Sequence, residues 1–129
     1  MTVAFEDPEA VVVSYLNGAL VAAADPARAS TRVPTTRPAS LVRVILTGMV
    51  RRSTSHRDAQ VTVECWATDG VAAARLADRV YDWLADLDVG SSHVPQGPDG
   101  WVGGPYSQPD PDSGTPRYVM TVILRQREV

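Results

Sequence analysis

The stretch from Gly103 to Arg125, GGPYSQPDPDSGTPRYVMTVILR, limits the folds open to this chain more than any other. Four prolines (Pro105, Pro109, Pro111, Pro116) and three glycines (Gly103, Gly104, Gly114) crowd its first half. Proline removes a backbone donor and glycine permits positive φ, so neither helix nor central strand is expected there. The second half, Tyr118 to Leu124, is apolar and β-branched, the pattern of a core strand. A stiff polar loop therefore feeds directly into the sheet, and loops on rigid scaffolds are common sites of binding.

The rest of the chain supplies the elements that would pack on this strand. Asp7-Pro8-Glu9 is a strong helix start, with a capping carboxylate, a proline at the first helical position and an acid near the positive helix end. Val12, Leu16, Ala19 and Ala23 recur at helical spacing, although Asn17-Gly18 is expected to weaken, bend or shorten this helix, which Asp25-Pro26 ends. Residues 29–37 read as an edge strand, since Pro34 and Pro38 cannot donate to a ladder. Leu41 to Val50 is apolar on both faces and is expected to be buried on both. RRSTSHRD at 51–58 is a polar connection with a turn near 53–57. Ala59 to Ala67 alternates as a half-buried strand.

Asp69 caps a second helix, expected to run to about Leu87 with Ala73, Leu76, Ala77, Val80 and Leu84 as its core stripe. Asp78, Asp82 and Asp86 lie four apart on its other side, where like charges repel. They read either as a solvated acidic face or as a stripe meeting a neighbour's arginines or a channel. Residues 91–116 read as one long Pro/Gly-rich loop with room for a short strand around Trp101 to Val102, ordered over 101–107 and mobile over 91–99. The last strand, 117–127, places Tyr118, Met120, Val122 and Leu124 on its core face.

At 129 residues this is one domain, 1–129, large enough to bury roughly two-thirds of its unfolded surface. No apolar run reaches the ~18 residues a membrane span needs, and the N-terminus lacks a signal pattern, so a soluble protein made in the cytoplasm is expected. Net charge is −3, which does not advertise nucleic-acid binding, and all 12 basic residues are arginine. Cys65 is alone in a strand pattern, which rules out a disulfide within the chain.

No constellation suggests catalysis. His56 and His93 sit in separate polar loops without metal-ligand spacing. Asp110-Pro-Asp112 lacks the further oxygen ligands of a calcium loop. GWVGG is not followed by a helix that could cradle phosphate. Arg51, Arg52 and Arg57 could contact phosphates, but no aromatic residues interleave with them, and a solvated or subunit-pairing loop is the simpler reading. The expectation is no enzyme, no cofactor and no metal. The fold class is α+β, with about four mainly antiparallel strands and two helices on one face in the order α-β-β-β-α-β. Such a sheet has edges, and oligomerisation is one way to cover them.

The segment GGPYSQPDPDSGTPRYVMTV resembles the C-terminal signature of tail terminator (tail completion) proteins of long-tailed, siphovirus-type bacteriophages, especially those infecting actinobacteria. STRVPTTRPASLVRV at 30–44, VTVECW at 61–66 and the helix after it add to the likeness, in the same order, over most of the chain from Asp7 onward. The resemblance implies a tail-terminator-like fold and a structural role: a ring, typically hexameric, that caps the major tail tube protein, stops its polymerisation and forms the surface docking to head-tail connector proteins. It implies a place in the virion at the head-proximal end of the tail, assembly in the host cytoplasm, and genomic DNA passing through the lumen without specific binding. Arg51, Arg52, Arg57, Tyr106, Asp110 and Asp112 are then candidates for subunit or tube contacts, and Asp78, Asp82 and Asp86 for an acidic lumen. Two other readings stay open: another neck protein such as a connector or stopper, and, more remotely, a ferredoxin-like ligand-binding domain.

Overall fold

A computed structural model of the chain describes residues 4–129. The middle of the fold is three long antiparallel strands in the order β2 (Ser40–Arg51), β3 (His56–Ala67) and β7 (Arg117–Arg127). Two helices, α1 (Pro8–Ala22) and α2 (Gly70–Ala85), bury their apolar stripes against one face of these strands. Val42 and Val44 from β2, Val61, Val63 and Cys65 from β3, and Met120, Val122 and Leu124 from β7 meet Val12, Leu16 and Leu20 of α1 and Leu76, Val80 and Leu84 of α2. The period-2 and period-3.6 patterns of the sequence thus converge on a single core. Both helix starts behave as their cap residues dictate. Asp7 accepts from the amides of Glu9 and Ala10, and Asp69 accepts from that of Ala72 at 2.8 Å.

The fold is α+β, but the sheet is not a four-stranded antiparallel one. It has seven strands and is mixed. The expected edge strand at 29–37 shrinks to β1 (Ala29–Ser30), which runs parallel to β2. The prolines that argued for an edge prevent the pairing from continuing past it. Helix α1 runs unbroken through Asn17-Gly18. Tertiary contact outweighs propensity here, because the Asn17 amide donates to the Ala29 carbonyl at 3.0 Å and accepts from the Ala29 N–H at 2.7 Å. The second helix stops at Ala85, two residues before the expected Leu87.

The long loop expected over 91–116 is partly regular. It holds β5 (Ser92–His93), which pairs with β4 (Asp88–Val89) just before it, a 3-10 turn at Gly97–Gly100 and β6 (Trp101–Ser107). Strands β6 and β5 share the outer edge of β7, β6 along its first half and β5 at Arg125–Gln126. Proline is tolerated in β6 because only one side of that strand is paired. Trp101 opens the strand and stacks on Tyr81 of α2 with ring centroids 4.3 Å apart, which anchors β6 to the helix layer.

Strand β2 departs from expectation in the other direction. Leu41, Val42 and Val44 are buried, but Leu46, Met49 and Val50 are 37%, 41% and 57% exposed. Beyond the short β1 pairing the outer edge of β2 has no strand partner among the described residues, although Glu9 caps the Leu46 N–H at 2.8 Å.

Candidate functional site

The face of the sheet opposite the helices carries the polar chemistry. Alternation along β3 sends Asp58, Gln60, Thr62, Glu64 and Trp66 to this face, and β7 contributes Arg117, Val119, Thr121, Ile123 and Arg125. In the middle, Thr62 bonds Thr47 on one side and Thr121 on the other, each at 3.0 Å. A buried carboxylate lies towards each end. Glu64 sits between Arg43 at 3.5 Å and Arg117 at 3.3 Å. Asp58 sits between Arg52 at 2.8 Å and Arg125 at 2.9 Å.

At the Glu64 end two guanidinium groups lie over the ring of Trp66, Arg37 at 5.1 Å and Arg117 at 5.2 Å. The loop from 108 to 116 and the segment around Arg37 frame a shallow cleft of about 370 Å³ over Trp66. This loop is well braced. The Asp110 carboxylate accepts from the Ser113 amide at 3.0 Å and hydroxyl at 2.6 Å, while Gly114 N–H donates to the Asp110 carbonyl at 2.8 Å. The Ser113 hydroxyl holds the Asp110 carboxyl below its ordinary range. Arg37 ties the loop to the opposite wall through Thr115 Oγ1 at 2.7 Å. Asp110 therefore shapes the turn, whereas Asp112 at its tip and Tyr106 on β6 present their side chains to solvent.

At the other end the β2–β3 hairpin is fastened to the N-terminal segment. Arg51 and Arg57 are cross-strand partners, and both guanidinium groups lie over the Phe5 ring, at 5.0 and 4.5 Å. Arg57 also donates to Gln126 Oε1 at 2.9 Å and to the Glu6 carbonyl at 3.1 Å. Two of its donors are thus committed inside the fold, and Arg51 and Arg52 are the more exposed pair. Since β3 links the two ends in 12 residues, the hairpin and the 108–116 loop stand roughly 36 Å apart. They cannot form one patch; they are opposite poles of the sheet.

Hydrogen bonds from Arg125 and then Arg52, opposed by burial, hold the Asp58 carboxyl below its ordinary range. A depressed folded-state pKa stabilises the fold above the unfolded carboxylate value of about 4, and that stabilisation is lost as pH falls through the folded value. Asp58→Asn removes this linkage. Between pH 5 and pH 3 the urea midpoint of the wild type should therefore fall more steeply than that of the variant. Parallel curves would show that Asp58 is not the group responsible.

Asp78 and Asp82 on α2 and Asp86 at its C-cap are exposed and make no ion pair among the described residues. Arg79 turns away from them to Asp25 at 2.5 Å. Burial, and then the charge of Asp86, push the Tyr15 phenol up. Cys65 is fully buried, which pushes its thiol up and leaves it a small core side chain. Among the described residues no group of three or more His, Cys, Asp or Glu is placed to hold a metal ion, and no helix is long and apolar enough to cross a membrane. One cluster escaped the sequence reading. His56 and His93, 37 positions apart, meet at one pocket with Ser91, Arg125 and Arg127. Only the strand register brings them together. No protein-family model matches the chain, and no curated protein matches it.

Proposed function

We propose that this chain is a tail terminator: a structural protein whose copies close into a ring on the end of a phage tail tube, stop its growth and offer the next component a new surface. The observation that carries this reading is the uncovered half of β2. Leu46 and Met49 lie opposite Val61 and Ala59, on the helix side of the sheet, yet remain exposed beside an edge that no strand among the described residues pairs. An unpaired apolar edge invites another chain, and a second copy meeting it head-to-tail gives a ring when the rotation closes.

The remaining features fit a cap. A cap needs two unlike ends, and the hairpin and the 108–116 loop supply chemically different poles, one rich in arginine and the other in proline and aspartate. One pole matches the growing tube, while the other no longer offers the tube's own addition site. The exposed row of Asp78, Asp82 and Asp86 lines the channel in this reading, where its charge repels DNA phosphates and lets the genome slide.

Native mass measurement and negative-stain imaging, alone and with polymerising tail-tube protein, test the proposal. The wild type should form rings, in solution or on tube ends, and limit tube length. Met49→Asp should stay folded by its melting transition yet lose both properties. A wild type that neither closes into rings nor binds tubes would overturn the proposal.

A further inference from the structure

The pocket at the hairpin pole has a composition that the capping role does not require. Two rungs of the sheet build it. Asp58, Arg125 and His93 align across β3, β7 and β5, and His56 aligns with Arg127 one rung further along. Positions two apart on a strand share a face, so His56, His93, Arg125 and Arg127 converge on the helix-free side around a cavity of about 320 Å³. Among the described residues no carboxylate lines it.

The donors there are only partly used. Arg125 gives Nε and one terminal nitrogen to Asp58, at 2.9 and 3.1 Å, and keeps further N–H groups. Arg127 makes a single long bond to the Gly90 carbonyl at 3.3 Å and no ion pair among the described residues. The His56 Nδ1 meets Ser55 Oγ at 2.9 Å, which leaves its other ring nitrogen, and no hydrogen bond to the His93 ring is found among the described residues. Asp58 fixes the Arg125 guanidinium in place, but it also pairs with Arg52, so this rung keeps a net positive charge. Other acids stand behind or beside the cavity. Glu6 accepts from the Ser91 hydroxyl at 3.1 Å, and Asp99 is close enough for its charge to act on Arg125.

From this geometry we infer that the pocket is an oxyanion site that takes a phosphate group, with Arg127 and His93 as its principal free donors and Arg125 as a fixed wall. Guanidinium forks suit the tetrahedral oxygens of phosphate, and the cavity has room for one such group with part of an ester attached. The inference does not depend on ring formation. The phosphate could come from a free phosphate species or from the backbone of a nucleic acid.

The full-length protein is titrated with inorganic phosphate in chloride buffer of matched ionic strength and followed by amide chemical shifts. Saturable shifts should cluster on residues 56, 91–93 and 125–127. Arg127→Gln should weaken binding about tenfold, as expected for a lost charge-assisted contact. His93→Gln should weaken it less, and Arg75→Gln, an exposed arginine on α2, should leave it unchanged. Melting curves confirm that each variant is folded. A short DNA duplex that competes with phosphate, with affinity falling steeply as salt rises, would assign the site to backbone phosphate; a duplex that fails to compete assigns it to a free species. Shifts that do not saturate, or equal losses in Arg75→Gln and Arg127→Gln, would overturn the inference.

Discussion

Gly104→Ala should detach β6 from β7, lowering the urea midpoint by the equivalent of about 2–4 kcal/mol, whereas Gly103→Ala one residue earlier should stay within about 0.5 kcal/mol of wild type. The contrast comes from backbone geometry. Gly104 has φ of +87°, a region that alanine enters at a cost, and a Cβ there would meet the Val119 carbonyl oxygen and lie 2.7 Å from Met120 Cα. Those are main-chain atoms of the central strand β7, which cannot swing aside as a flexible side chain would. A Cβ on Gly103 meets nothing within 4 Å. Relief of the Gly104→Ala clash requires β6 to lift away, which carries Tyr106 and the base of the 108–116 loop with it. In the capping proposal this variant should also yield tubes of uncontrolled length. The fluorescence of Trp101, at the start of β6, reports the detachment once Trp66 and Trp83 are replaced by phenylalanine, and equal midpoints for the two alanine variants would sink the idea.

The same glycines show why part of the fold was legible in the sequence and part was not. The core faces of β3 and β7 and the stripe of α2 follow from local periodicity, because burial there is decided by elements that each carry a clear pattern. Strand β6 has no such pattern. Its composition forbids a central strand but allows an edge strand, and only the presence of β7 alongside decides that one forms. Leu46, Met49 and Val50 failed in the opposite sense. Their apolar character is plain, but burial of Leu46 and Met49 depends on how far the cover of α1 extends along β2, and Val50, opposite Asp58, lies on the helix-free face. The loop residues divide similarly. Asp110 and Asp112 look alike in sequence, yet one is the hub of a turn and the other is free at its tip. The oxyanion pocket was the least legible feature, since positions 56, 93, 125 and 127 meet only through the register of three strands.

Glu64→Ala should cost about 3 kcal/mol, because it strips the shared partner from two arginines on a covered part of the sheet. Glu64 is 7% exposed, and it accepts from Arg117 and from the Trp66 indole N–H, both at 3.3 Å. The side chain of Arg117 is only 11% exposed, so its charge cannot simply turn into water. It would retain the Gln108 carbonyl at 2.9 Å and the Trp66 face, neither of which neutralises it. Arg43 is less constrained at 35% exposure, which keeps the expected loss near the low end of the range for broken buried pairs. Leaving a charge unpaired is more costly than removing the pair. The double variant Glu64→Leu with Arg117→Met should therefore lose less stability than Glu64→Ala alone, as read from urea midpoints at neutral pH. If the double variant is the less stable of the two, the pair contributes through its own attraction rather than through the penalty of breaking it. In that case Trp66, with Arg37 and Arg117 over its ring, would be held in place by the ions and not by the packing around them.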